Sequence, residues 1–151
     1  MCLVKFGILT TFLLLGACDA LPRDPDGTLL RVAQEQRFTV ALAEPAVGRA
    51  PEVTKLVREI ERRTGAQARW LPGSEEAILR QLDEGTIDLV IGRFTAESPW
   101  ASDVAFGPEL ATSGTTDAPL KLRAAMRNGE NRWIMTVERA SRAVSREARE
   151  E

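Results

Sequence analysis

Histidine is absent from this 151-residue sequence. Without an imidazole, a Ser-His-Asp triad, a Cys-His dyad and a histidine-ligated zinc site are all excluded. Cysteine occurs only twice, at Cys2 and Cys18, and both lie near the amino terminus. The body of the chain therefore has neither an internal disulfide framework nor a thiolate metal site. We expect no metal and no cofactor.

An excess of basic residues is also absent. Twenty Lys and Arg residues against 22 Asp and Glu residues give a formal net charge of −2. Because nucleic-acid-binding domains usually carry a basic patch, we expect no nucleic-acid partner. The content of 44% apolar and 28% charged residues is typical of a globular protein with one core. No nucleophile and base stand in a recognisable constellation, so we expect a protein that is not an enzyme.

A short apolar run near the amino terminus indicates export. It follows Lys5, covers residues 6–15, and ends in the sequence Leu15-Gly16-Ala17-Cys18. The run is too short for a comfortable membrane span and suits the core of a signal peptide. The final four residues resemble a bacterial lipobox, where a signal peptidase cuts before the cysteine and the thiol receives a diacylglycerol. The alternatives are an ordinary secretory signal with an incidental cysteine and an uncleaved anchor.

These residues predict the location of the protein. We expect residues 1–17 to be a lipoprotein signal peptide and Cys18 to be the lipidated residue that anchors the chain to a membrane. Asp19 resembles the inner-membrane retention signal of enteric bacteria, which predicts the periplasmic face of the inner membrane. Residues 18–36 read as a lipidated tether followed by a short helix, capped by Asp26 or Thr28.

Residues 37–144 alternate between strand and helix patterns. Alternation and β-formers predict strands at 37–43, 66–71 and 87–91, the last ended by Gly92, with amphipathic helices between them that end at Gly65 and Gly85. An irregular stretch over 95–108 precedes a short strand at 109–112, a polar linker at 113–119 and a strand at 120–126. A closing helix begins at Glu130, and a frayed tail follows at 145–151. This order predicts an α/β fold with three layers, in which a mostly parallel sheet has helices on both faces.

The pattern Leu82-x-x-Gly85-x-Ile87-Asp88-Leu89-Val90-Ile91-Gly92 resembles lobe one of the family 3, or type II, periplasmic solute-binding proteins. The later sequence Ala105-Phe106-Gly107-Pro108 resembles a segment that follows in that family. The resemblance covers residues 37–112 and resumes over 120–144. It implies the receptor of an ABC importer for a small polar solute such as an amino acid.

Two departures from the family pattern modify that expectation. The second lobe would be inserted at residues 113–119, where this sequence has only a few residues, so we expect a single-lobe relative. With half of the usual contacts, millimolar affinity is expected unless a second copy or another protein completes the site. The family's carboxylate-binding Arg also falls on Trp100 here, and Arg93 is the candidate to replace it. The alternative for Arg93 is a solvated side chain.

The carboxyl ends of parallel strands should gather the candidate ligand-binding residues at one edge of the sheet. Ser74 would lie at a helix N-terminus that favours anions, and Trp100 offers a stacking face. The plain alternatives are that Ser74 only caps a helix, Trp100 only covers the surface left by the missing lobe, and Glu44 is only solvated. The predicted ligand-binding set is Glu44, Ser74, Arg93, Phe94, Thr95 and Trp100.

The sequence therefore favours a membrane-anchored, solute-binding-like lipoprotein that works with an ABC permease or a sensor protein. One alternative is a periplasmic lipoprotein that uses the lobe as a protein-interaction or sensor module and has no role in transport. A third possibility is a decayed receptor with no present function. An exposed apolar patch around Phe94, Trp100 and Phe106 would favour the interaction module. A concave polar pocket where Arg93 and Thr95 converge would favour solute binding.

Overall fold

The structure is a computed structural model that describes residues 24–151. The predicted signal peptide, the lipidation site Cys18 and the first part of the tether lie outside the described residues. Within residues 24–151, no helix combines the length and the apolar character needed to cross a membrane.

The described residues form one six-stranded sheet. Strands β1 to β3 pair in parallel in the order β2-β1-β3, and β6 is antiparallel to β3 on one side and to β4 and β5 on the other. Five strands therefore point the same way and only β6 is reversed, which confirms the mostly parallel sheet. The strands are β1 (Arg37–Leu42), β2 (Gln67–Leu71), β3 (Leu89–Phe94), β4 (Val104–Phe106), β5 (Ala111–Thr115) and β6 (Ala118–Arg127).

Helices cover both faces of this sheet, as the sequence predicted. Helices α1, α2 and α4 bury their apolar stripes against one face, and α3 buries Ile78, Leu79 and Leu82 against the other. The spacing of apolar residues in α2 explains its position, since Val53, Leu56, Val57 and Ile60 are all buried along one side. The helices are α1 (Thr28–Glu35), α2 (Pro51–Thr64), α3 (Glu75–Asp83), α4 (Asn131–Val144) and α5 (Glu147–Glu150), with 3₁₀ helices at Pro45–Arg49 and Pro99–Ser102.

Gly92 does not end the third strand, contrary to the sequence prediction. Strand β3 starts later than predicted and continues through Gly92 to Phe94. A Cβ atom at Gly92 would lie 2.5 Å from Ala43 Cβ and 2.8 Å from Phe94 Cζ. The glycine is therefore needed for close packing inside the strand, and it is not a chain break.

The predicted polar linker at 113–119 is also wrong. Ser113 pairs with Leu120 and Thr115 with Ala118, so the segment forms the hairpin between β5 and β6. Gly114 adopts a φ of +89°, which a residue with a side chain rarely adopts. Strand β4 lies within the stretch predicted to be irregular. Pairing with β6 builds these short strands despite weak local patterns.

The tail at 145–151 is ordered rather than frayed. Ser145 and Ala148 are buried, and the Ser145 hydroxyl donates to the Leu110 carbonyl oxygen at 2.8 Å. The Glu151 carboxylate accepts a hydrogen bond from the Glu109 backbone N–H at 2.7 Å and pairs with Arg123 at 3.0 Å. Contacts with residues far away in sequence therefore hold this charged segment.

Helix α1 is capped from outside its own segment. Gly27 is its N-cap residue, and neither Asp26 nor Thr28 supplies the predicted side-chain cap. Instead, the fully buried Glu130 accepts hydrogen bonds from the backbone N–H groups of Asp26 at 2.8 Å and Thr28 at 2.7 Å. The first described helix is thereby tied to the start of α4.

Candidate functional site

The carboxyl ends of β1, β2 and β3 lie side by side at one end of the sheet, which we call the carboxyl edge. Glu44 follows β1, Ser74 follows β2 as the N-cap residue of α3, and Arg93 lies near the end of β3. Ligands of open α/β sheets bind at such an edge. The predicted site residues are thus brought to the same end of the fold.

Arg93 and Glu44 form an ion pair across two neighbouring strand ends. The Arg93 Nη1 atom lies 3.1 Å from Glu44 Oε1. The Arg93 side chain is 28% exposed and that of Glu44 is 45% exposed. Such a half-exposed pair contributes little to folding stability, on the order of 0–1 kcal/mol. It nevertheless presents a guanidinium and a carboxylate to solvent at one point of the edge.

Two hydroxyl groups of the predicted set, those of Ser74 and Thr95, belong to exposed residues that follow β2 and β3. Ser74 makes no side-chain hydrogen bond to the helix that it precedes, so the structure does not show the capping bond expected of a simple N-cap. Thr95 is exposed directly after β3. Glu75 and Glu76 occupy the first turn of α3, and their negative charge opposes the binding of an anion at this helix N-terminus.

The two aromatic residues of the predicted set differ from each other in burial. Phe94 is only 4% exposed, and its ring packs against Phe106 with the centroids 4.7 Å apart. Its side chain belongs to the core below the edge, and it does not line a surface. Trp100 is partly buried against the same cluster and lies in the 3₁₀ helix whose N-cap is Ser98. Phe94 therefore packs below the surface of the carboxyl edge, and Trp100 packs against the same cluster.

A depression of ≈ 420 Å³ opens at the carboxyl edge beside the ion pair's strands. Trp70, at 48% exposure, supplies its largest side chain, and the turn after β2 forms one wall. That wall lies close to α3, because a Cβ at Gly73 would be 2.4 Å from Ile78 Cγ2. The lining residues are Leu42, Pro45, Trp70, Leu71, Pro72 and Gly73.

Sequence reasoning placed Trp70 in a strand and missed its part in this depression. The available signal was an aromatic residue at a strand end, just before the Pro72-Gly73 turn. Neither Arg93 nor Thr95 lines the depression.

In residues 24–151 no group of three or more Cys, Asp or Glu side chains is arranged to hold a metal ion.

No protein-family model matches the sequence, and no curated protein matches it. Solved structures do match. The arginine-bound form of domain 1 from TmArgBP, the arginine-binding protein of T. maritima, superposes with a TM-score of 0.62 at 17% identity, over 75% of this chain and 97% of that chain. The chain has the fold of one lobe of an amino-acid-binding protein.

Two further structures show the same lobe fold. The ancestral amino-acid-binding protein AncCDT-1, described as a precursor of cyclohexadienyl dehydratase, gives a TM-score of 0.64 at 12% identity, over 77% of this chain and 92% of that chain. The substrate-binding protein AbpA from Streptococcus pneumoniae, bound to L-arginine, gives 0.61 at 9% identity, over 76% and 91%. The predicted resemblance to a solute-binding lobe is therefore confirmed for the fold.

Proposed function

We propose that this chain is a membrane-anchored solute-binding lipoprotein whose carboxyl edge binds a small zwitterionic solute such as an amino acid. The observation that carries the proposal is the Arg93–Glu44 pair, half-exposed at the strand ends of a lobe whose structural neighbours bind amino acids. The partners that we propose are an ABC permease or a sensor protein, with the anchor at Cys18 and the protein at the periplasmic face of the inner membrane.

The two charged groups of the ion pair are complementary to the carboxylate and the ammonium group of a free amino acid. A solute carboxylate can accept hydrogen bonds from the Arg93 guanidinium, which suits bidentate recognition. A solute ammonium can donate to the second oxygen of Glu44, because only Oε1 faces Arg93. The solute would thus insert into or beside an existing pair and leave no charge of that pair without a partner.

The solute side chain would lie toward the depression. Its walls are mainly apolar, and the half-exposed indole of Trp70 offers a stacking face to an aliphatic, aromatic or cationic group. An acidic side chain would gain nothing from these walls and would meet the carboxylates of Glu75 and Glu76 nearby in the chain. We therefore expect neutral or cationic amino acids to bind more tightly than acidic ones.

One structural neighbour is itself a single domain. Domain 1 from TmArgBP was crystallised in an arginine-bound form, and it matches this chain over 97% of its own length. That finding supports solute binding without a second lobe. It also weakens the sequence-based expectation that another surface must complete the site.

Neither of the two predicted surface features is present where it was expected. Arg93 and Thr95 do not line the depression, whose walls are mainly apolar. The apolar patch that would favour the protein-interaction module was expected around Phe94, Trp100 and Phe106, yet Phe94 is buried and the other two are partly buried. The alternative would need a different docking surface.

A thermal-shift and calorimetry screen tests the proposal. The detergent-solubilised protein is titrated with neutral, cationic and acidic amino acids, organic acids and polyamines. A solute at one hundred times its dissociation constant stabilises the protein by about 2.7 kcal/mol, which raises Tm by several degrees. Because AncCDT-1 is described as the precursor of an enzyme, the solute is recovered afterwards and checked for chemical change.

Matched variants locate the site. Arg93→Ala and Glu44→Ala should each weaken the response at least tenfold in affinity, since each leaves one end of the solute without its partner. Arg58→Ala removes an exposed arginine from α2 and should bind like the parent protein. The absence of any response to all solutes at millimolar concentration would contradict solute binding by the isolated chain.

A further inference from the structure

The described chain enters the fold at the end of the sheet opposite the candidate site. Strand β6 is antiparallel to β3 and β4, so its final residue Arg127 pairs with Val104 at the amino end of β4 and lies at the end of the sheet where β3 begins. The turn at 128–130 and the start of α4 follow at this end, which we call the amino edge. Asp24 donates a backbone hydrogen bond to the Gly129 carbonyl oxygen at 3.3 Å, so the entry point is at the amino edge.

Several bonds hold this entry segment in place. The Asp24 carboxylate accepts from the backbone N–H of Arg132 at 2.7 Å. Asp26 forms an ion pair with Arg127. The buried Glu130 accepts the two backbone bonds described above. The segment is therefore fixed to the body from its first described residue.

Helix α1 is also held to the sheet by an ion pair of its own. Arg31 pairs with the buried carboxylate of Asp88, which also accepts hydrogen bonds from the Thr39 backbone N–H at 2.7 Å and hydroxyl at 2.8 Å. These residues stand at the start of β1 and β3. Pulling the chain away from the amino edge would expose this buried carboxylate, so the entry segment does not swing freely.

Chain length then limits where a membrane can lie. Asp24 is six positions after Cys18, so the chain between them spans at most about 20 Å. Strand β3 has six residues and spans roughly 20 Å from the amino edge to the carboxyl edge. Placing the carboxyl edge against the membrane would require the link to run nearly fully extended along the whole sheet, which is entropically costly.

We propose that the amino edge is the membrane-facing surface of this protein and that the solute site at the carboxyl edge points away from the lipid. This inference rests on the lipid anchor of the proposed function and does not depend on which solute binds. The partner of the amino edge is a lipid headgroup surface, held near it by the anchor.

The proposed orientation does not depend on electrostatic attraction between the amino edge and the membrane. Four arginines at the amino edge are paired with carboxylates of the same edge: Arg31 with Asp88, Arg37 with Glu35, Arg127 with Asp26, and Arg132 with Asp24. Paired surface charges give little attraction to anionic lipid. The orientation should therefore be the same on zwitterionic and on anionic vesicles.

Fluorescence quenching from the membrane surface tests the orientation. Lipidated protein that carries a single dye is reconstituted into phosphatidylcholine vesicles with a quencher on the lipid headgroups. Glu84→Cys places the dye on an exposed residue at the amino edge, between α3 and β3. Asp117→Cys is the matched acidic-to-cysteine change, in the exposed turn between β5 and β6 at the carboxyl edge. We expect at least threefold stronger quenching for the dye at position 84.

The outcomes separate the two proposals. Equal quenching at both positions, or stronger quenching at position 117, on protein whose Cys18 carries acyl chains by mass spectrometry would overturn the orientation and leave the anchor intact. Absence of acyl chains on Cys18 would overturn the anchor and the orientation together, while solute binding is decided by the separate titration. Inserting twenty Gly and Ser residues after Ala20 should remove most of the difference between the two positions.

Discussion

At the level of single residues, Gly92 determines how closely β3 can approach its neighbours. A methyl group there would meet Ala43 Cβ at 2.5 Å and the Phe94 ring at 2.8 Å, and the ring is held by Phe106. Gly92→Ala should therefore destabilise the protein by about 1–3 kcal/mol through overpacking. Chemical denaturation measures the change. Gly107→Ala is the control, because its nearest atoms would lie at 3.6 Å and the substitution should be far better tolerated.

Glu130 has a structural role as well, because its buried carboxylate caps the start of helix α1. Glu130→Ala leaves the backbone donors of Asp26 and Thr28 without their acceptor, which should cost about 1–3 kcal/mol. Hydrogen exchange should accelerate in α1 more than in α2, because the lost bonds hold α1. Glu138→Ala on the same helix removes only an exposed pair with Arg142 and should change stability by less than about 0.5 kcal/mol. Equal effects of the two variants would contradict the capping role.

At the level of elements, the charged tail illustrates how a short helix is held by distant contacts. Ala148 is fully buried, while Ala143, five positions earlier in the chain, is exposed. Ala148→Asp would bury a charge without a partner and should lower Tm by several degrees, whereas Ala143→Asp should have little effect. A thermal melt of both variants checks this. Similar melting temperatures would mean that the tail is loosely held after all.

The individual helices and strands also show how much of the fold could be predicted from the sequence. Helix α2 was predictable, because four apolar residues at helical spacing stand between Pro51 and Gly65. The hairpin at 113–119 and the tail at 145–151 were not, because their partners are the Leu120 and Leu110 segments and no local pattern records those contacts. For the site, strand order placed Arg93 and Glu44 at one edge. The burial of Phe94 and the exposure of Trp70 could not be predicted, because both depend on three-dimensional packing.

At the level of the whole molecule, the question is whether one copy forms a complete site. The proposed function assumes a site that a lone lobe can supply. We expect the sedimentation coefficient of the protein to be the same with and without saturating solute. Analytical ultracentrifugation in the presence of the solute found by the screen checks this. A solute-dependent dimer would mean that a second copy contributes part of the binding surface.

The hairpin between β5 and β6 has an evolutionary consequence. Thr115 and Ala118 are neighbours in the ladder, and the turn between them is exposed at the carboxyl edge. Exposed turns whose two ends lie close together are the places where whole domains can be inserted with little loss of stability. A single insertion or excision of coding sequence at this turn would therefore interconvert a one-lobe and a two-lobe protein, and neither step would require the sheet to be rebuilt.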